Sequence, residues 1–156
     1  MYKRQKLLLR DRDNQRIIAA EDFFIGPRRS VLNSGELLYE IIISLPQNGA
    51  KAEFIKFGRR KALSLSIVNG AVMLELNKDK EVLACRIALG AVAPVPVRAY
   101  KAEAFLIGKE ISIENIATAA EIISGEISPI SDIRASAEYR LRMSQVIVKR
   151  ALEQCL

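Results

Sequence analysis

The stretch 56–92 holds the two longest runs of apolar residues at strand spacing, and any fold of this chain must gather around it. In 62–76, Leu63, Leu65 and Ile67 alternate with Ser64 and Ser66, the period-2 pattern of a half-buried strand. After Asn69-Gly70 the apolar phase moves to Val72, Leu74 and Leu76. An extra residue at the glycine, bulging the strand and exchanging its faces, predicts that change. Asn77-Lys78-Asp79-Lys80 reads as a turn, and 82–92 as the return arm, with Leu83, Cys85, Ile87 and Leu89 on a common side. A two-stranded ribbon does not stand alone in water, so further strands or helices must cover its apolar face.

The remaining chain supplies both. Leu7-Leu8-Leu9 and Ile17-Ile18, separated by the polar residues 10–16, predict a small hairpin, and Gly26-Pro27 a turn. Strands are expected over 36–45, ending at Pro46 and a Gln47-Asn48-Gly49 loop, and over 52–58. Ala93-Pro94-Val95-Pro96 forbids both helix and central strand. A helix over 97–107 would place Tyr100, Ala104 and Ile107 on one side and end at Gly108. Ser112 can cap a second helix with Ile113, Ile116, Ala120 and Ile123 on its stripe, stopped by Gly125. A third, from near Asp132 to about Glu153, would bury Ala137, Leu141, Ser144, Val148 and Leu152 and pair Glu138 with Arg142. The expected fold class is α+β: an antiparallel sheet with helices packed on one face.

Composition narrows the chemistry. With 156 residues, 50% of them apolar, the chain can bury one main core beside an N-terminal extension. It has no histidine, which removes the Ser/His dyad, the His-ligated zinc and the ordinary imidazole base. Cys85 and Cys155 fit neither a disulfide framework nor a metal pair and read as free thiols. Ser64 and Ser66 have no base to activate them as nucleophiles. The net charge of +6 is spread through short clusters, Lys3-Arg4, Arg28-Arg29 and Arg59-Arg60-Lys61, without interleaved aromatics, which argues against nucleic acid. No window reaches the apolar length of a membrane span and the start MYKRQK lacks a signal-peptide core, so the expected setting is cytoplasmic with no membrane partner.

Three ordered motifs carry a resemblance. KFGRRKALSLSIVNGAV (56–72), RIALGAVAPVPVRAYKAEAFLIGK (86–109) and ISPISDIRASAEYRLRMSQVIVKRAL (127–152) resemble the C-terminal domain of the FAD-binding subunit of molybdenum hydroxylases. Carbon monoxide dehydrogenase, xanthine dehydrogenase and hydroxybenzoyl-CoA reductase belong to that family. EDFFIGPRRSVLNSGELLYEI (21–41) is similar to the end of the flavin domain in the same subunits. The resemblance implies a division at 1–48, the last part of a flavin domain, and 49–156, the flavoprotein C-terminal domain. It implies FAD in the complete subunit, relaying electrons from iron-sulfur clusters to an acceptor.

Family members bind FAD chiefly through an N-terminal half whose glycine-rich loops, of AGGT and GGN type, offer backbone N–H groups to the pyrophosphate. Here all eight glycines are isolated, so this chain alone is expected to hold no FAD tightly. The implied partners are that N-terminal half, an iron-sulfur subunit and a molybdenum-cofactor subunit, with a homo-oligomer also possible. Two residues carry over as flavin contacts: Leu38, matching a leucine that packs near the isoalloxazine, and Lys56, matching a lysine near the flavin. Each also has a plain reading, Leu38 as core and Lys56 as a side chain snorkelling from a sheet edge. Arg59-Arg60 could face an acidic partner or a phosphate, or be surface charge. Asp132, Arg134, Tyr139 and Arg140 repeat the family's helix signature, and a structural role is expected of them. The alternative to a flavoprotein portion is a stand-alone, non-enzymatic interaction domain that kept the fold and lost the cofactor.

Overall fold

The computed structural model describes residues 5–45, 49–60 and 64–156. The chain divides into two compact units, Met1–Pro46 and Gln47–Leu156.

In the first unit β1 (Gln5–Arg10) and β2 (Gln15–Ala19) form the expected hairpin. Its turn is closed by the Asp11 carboxylate, which accepts the amides of Asp13 at 2.8 Å and Asn14 at 2.6 Å. A short 3-10 turn (Ala20–Asp22) leads into the two-stranded β3 (Phe24–Gly26) and β4 (Arg29–Ser30). β5 (Leu37–Ile43) then returns to the free side of β1, giving the antiparallel order β2-β1-β5. The small core is Leu7, Leu9, Ala20 and Phe23, with Ile18, Val31 and Leu32 against it. Arg16 fastens the 31–36 segment, donating to both carboxylate oxygens of Glu36 at 2.7 and 2.8 Å and to Val31 O at 2.7 Å. Those bonds, with the Asn33 amide, pull the Glu36 carboxyl down to about 2.

The second unit is one antiparallel sheet, β6 (Lys51–Gly58), β7 (Ser66–Leu76), β8 (Val82–Gly90) and β9 (Val97–Arg98), in that order. Three helices lie on one face: α1 (Tyr100–Leu106), α2 (Ile113–Ile122) and α3 (Ala137–Gln154). It is the α+β fold that the residue pattern predicted. The core joins Val68, Val72 and Leu74 of β7 and Cys85, Ile87 and Leu89 of β8 to Leu106, Ile116, Ile147, Val148 and Leu152 of the helices. The Asn77 turn forms as expected, its Oδ1 accepting the amides of Asp79 and Glu81, both at 2.9 Å. Ser112 caps α2, accepting from Asn115 N.

Several finer expectations are corrected. The face exchange in β7 does not occur at Gly70, which pairs in register with Ile55 and Leu89. The register slips instead where Phe57 faces Val68 and Gly58 faces Ser66, so Ile67 is the extra residue. Leu65 precedes the strand and is 70% exposed, whereas Ile67 and Val68 are both buried; Ala62, Leu63 and the Pro46 to Asn48 loop lie outside the described residues. A second slip puts Val82 opposite Leu76, and the bypassed Leu83 is 56% exposed. The helix expected over 97–107 is a two-residue strand followed by α1, and it buries Ala102, Glu103 and Leu106 rather than Tyr100, Ala104 and Ile107. The cause is Glu103, which accepts Ile87 N at 2.9 Å and Arg98 Nε at 2.7 Å: its carboxylate takes over the β8 amide that the short β9 leaves unpaired. Ile113 is exposed at the solvent side of α2. α3 starts at Ala137 under a Ser136 cap, because Asp132 serves a preceding turn, and Ala137 and Leu141 are only half-buried. Glu138 and Arg142 form no ion pair; Lys149 and Glu153 approach to 4.0 Å. Among the described residues no helix is long and apolar enough to cross a membrane.

Candidate functional site

The Arg-rich end of β6 gathers polar side chains from two segments of the second unit. Alternation along β6 turns Ile55 and Phe57 toward the helices and leaves Phe54 and Lys56 outward, with Lys56 exposed opposite Asn69. Gly58 follows at the register slip. A Cβ there would meet Ser64 Oγ at 2.6 Å, so the absent side chain is what lets the returning chain close against the strand end. Arg59 then reaches across to the segment before α3, where its Nη2 donates to the carbonyls of Ile133 and Arg134.

That segment is itself tied by Asp132. Its Oδ1 accepts the amides of Arg134 at 2.8 Å and Ala135 at 3.2 Å and Arg140 Nη2 at 2.7 Å, while Oδ2 accepts Arg134 Nη1 at 2.7 Å. The Arg134 amide first, and then the Arg140 guanidinium, hold the Asp132 carboxyl at about 2. Arg140 is buried and also donates to Ile67 O at 2.7 Å and Ala91 O at 2.9 Å, the first at the β7 bulge and the second at a residue with φ of 63°. The signature residues Asp132, Arg134 and Arg140 therefore tie the turn before α3 to the sheet, and Tyr139 packs near Phe57 with ring centroids 6.2 Å apart.

Two cavities open on this cluster. One, of about 440 Å³, is lined by Arg59, Arg60, Ser64, Leu65, Ile67 and Arg134. The other, of about 460 Å³, is lined by Lys56, Phe57, Gly58, Arg59 and Arg60. Lys56 thus stands on the wall of a basic cavity, which its strand position alone did not reveal. Leu38 lies in the other unit, on β5 opposite Leu9 and 40% exposed, beside the bulged Tyr39, whose ring lies 5.0 Å from the Arg10 guanidinium. It is not a fully buried core residue.

The structure offers little else for chemistry. Among the described residues no group of three His, Cys, Asp or Glu side chains could hold a metal ion. Cys85 and Cys155 are buried free thiols, and desolvation pushes Cys85 up to about 12, away from the thiolate that reacts. For a flavin dinucleotide, the described residues offer no closely spaced glycines that would form a backbone phosphate cradle. The positive-φ glycines Gly35, Gly49 and Gly108 sit singly in separate turns, whereas Leu38 offers an exposed apolar surface and Lys56 an exposed cation.

Comparison with known proteins bears on this geometry. The family model of the CO dehydrogenase flavoprotein C-terminal domain matches residues 53–155. The glyceraldehyde dehydrogenase medium chain of Sulfolobus acidocaldarius is 30% identical over 95% of this chain and 52% of its own length. The carbon monoxide dehydrogenase medium chain of Afipia carboxidovorans is 32% identical over 91% and 49%. Among solved structures, a chain of the Cu,Mo-CO dehydrogenase superposes with a TM-score of 0.92 at 29% identity, over 99% of this chain and 53% of that one. A chain of quinoline 2-oxidoreductase from Pseudomonas putida 86 gives 0.88 at 32%, over 97% and 52%. The chain spans about half the length of the relatives it matches. With its sheet, helices and Asp132 to Arg140 network in place, the chain belongs to the CO dehydrogenase flavoprotein C-terminal domain family.

Proposed function

We propose that this chain is the C-terminal portion of the FAD-binding subunit of a molybdenum hydroxylase-type oxidoreductase, cytoplasmic and not catalytic by itself. The observation that carries the reading is the match across nearly the whole chain to medium chains of carbon monoxide and glyceraldehyde dehydrogenases. In it, residues 1–48 are the end of the flavin domain and 49–156 the flavoprotein C-terminal domain. The flavin, when bound, supplies the redox chemistry that passes electrons from iron-sulfur clusters to an acceptor. The protein's part is to wall one side of the ring, with Leu38 packing against it and Lys56 placing a positive charge beside it. Its partners are the N-terminal FAD-binding half, the iron-sulfur subunit and the molybdenum-cofactor subunit. The isolated glycines speak for the competing reading, a stand-alone interaction domain without cofactor; the extent of the match to flavin-subunit relatives weighs more.

The test is a flavin titration. The chain alone should bind FAD no tighter than millimolar, and adding the N-terminal half of the subunit in trans should restore binding and flavin colour. In that mixture Lys56→Gln should weaken binding by about tenfold, the scale of one lost charge-assisted hydrogen bond. Micromolar binding by the chain alone, or a mixture that stays colourless, would overturn the reading.

A further inference from the structure

We propose, resting on the flavin reading above, that Asn69 is a further cofactor contact whose side-chain amide hydrogen-bonds the imide edge of the flavin ring beside Lys56. The first ground is register. Lys56 of β6, Asn69 of β7 and Gly90 of β8 form one cross-strand row, and residues paired across antiparallel strands share a face of the sheet. It is the face turned away from the helices. The neighbouring row, Ile55, Gly70 and Leu89, takes the helix side, where Ile55 and Leu89 join the core and Gly70 meets Ile147. Asn69 and the exposed Lys56 therefore stand side by side on the open face.

The second ground is an amide held in place without a partner. A Cβ on Gly90 would lie 2.6 Å from Asn69 Oδ1, 2.9 Å from Nδ2 and 3.1 Å from Cγ, so the whole carboxamide rests against bare glycine backbone. That contact restricts its rotamers, and Asn69 is half-buried. Among the described residues neither the Asn69 amide nor the Lys56 ammonium has a hydrogen-bond or ion-pair partner. A side chain already ordered in the empty protein loses little further entropy when a ligand takes up its donors and acceptor.

Chemistry supplies the third. A carboxamide sets an acceptor beside donors, which complements a ring N–H flanked by a carbonyl. The flavin ring carries that pair at its pyrimidine end, where N3–H lies between two carbonyls, and its dimethylbenzene end has no hydrogen-bonding group. The Lys56 ammonium at the same end would stabilise the negative charge that the ring gains there on reduction. An anion without an N–H, such as a phosphate or a carboxylate, would engage Lys56 and leave the amide acceptor unmet. The row thus fixes which end of the ring faces β6 and β7, a choice that Lys56 alone does not make.

The test uses the chain mixed with the N-terminal half of the subunit and compares FAD with 3-methyl-FAD, in which a methyl group replaces the N3 hydrogen. Wild type should bind 3-methyl-FAD about tenfold more weakly than FAD, the scale of one hydrogen bond lost with its acceptor left unmet. In Asn69→Ala the two flavins should bind alike, whereas Lys56→Gln should weaken both and keep the preference. The ratio is the readout, because a variant that merely loosens the fold weakens both flavins equally, and the wild-type comparison needs no substitution at all. Equal binding of the two flavins by wild type, or a preference that survives Asn69→Ala, would overturn the contact and leave the flavin reading standing. A mixture that stays colourless with FAD overturns the flavin reading itself and this contact with it.

Discussion

At the scale of single residues, the β7 bulge makes a sharp contrast between two side chains two positions apart. Ile67 is the extra residue and is buried, so Ile67→Ala should cost about 2–5 kcal/mol, the usual loss for a truncated core aliphatic. Leu65→Ala should stay within about 0.5 kcal/mol, as an exposed position outside the strand. Equal denaturation midpoints for the two variants would contradict the bulge. Asp132 gives a pH signature. Its pKa falls from an ordinary 3.8 to about 2 in the folded state. The unfolded chain therefore binds the proton first on acidification. The stabilisation is complete above about pH 4 and lost as pH falls toward 2. Glu36 titrates over a similar range in the other unit, so the readout must be local: amide hydrogen exchange at Ile147 in α3 should accelerate through that window in wild type. In Asp132→Asn the acid-dependent step should vanish, and a persistent step would assign the acid sensitivity elsewhere.

At the scale of elements, Gly70 marks a close approach between β7 and its neighbours α3 and β8. A Cβ there would lie 3.1 Å from Ile147 Cδ1 and 3.2 Å from Leu89 Cδ2, so any larger residue must push these two packed side chains back by a few tenths of an ångström. Gly70→Ala should destabilise by about 1–3 kcal/mol through overpacking, and a chemical denaturation curve as stable as wild type would show that α3 shifts freely. This also shows where the sequence was legible. The hairpin, its Asn77 turn, the α2 cap and the α+β class were all written in local alternation and turn chemistry. The role of Gly70 was not, because a glycine inside a strand pattern signals a bulge as readily as a close neighbour, and the neighbour is 77 residues away. Leu83 misled for a related reason: a register slip is set by the partner strand, which the alternation of one strand does not encode. Arg59-Arg60 was legible as a candidate for an acidic partner or a phosphate, but the cavity was not, because Arg134, which shares its wall, is distant in sequence. Glu103 was missed as a buried residue since its burial depends on Arg98 and the Ile87 amide. A charged residue on the apolar side of a short helix, five positions after an arginine, was the available signal.

At the scale of the whole molecule, the uneven burial of apolar residues has a consequence for association. In the first unit β5 is an edge strand with Leu37, Tyr39, Ile41 and Ile43 all more than half exposed, and Leu45 beyond it at 86%. Phe24 and Ile25 are exposed too, whereas Phe23 beside them is buried in the small core. Apolar surface on an open strand edge acts as an interface or as an aggregation hazard. The net charge of +6 opposes association of like molecules, and salt screens that repulsion while leaving the apolar attraction in place. Self-association should therefore increase with protein concentration and with ionic strength, the reverse of what a charge-driven complex would do. Sedimentation velocity across both variables reads this directly, and Ile41→Lys with Ile43→Lys on β5 should shift the distribution back toward monomer. If the wild-type chain sediments as a monomer at every concentration and salt, β5 is not a surface that drives contact with other chains.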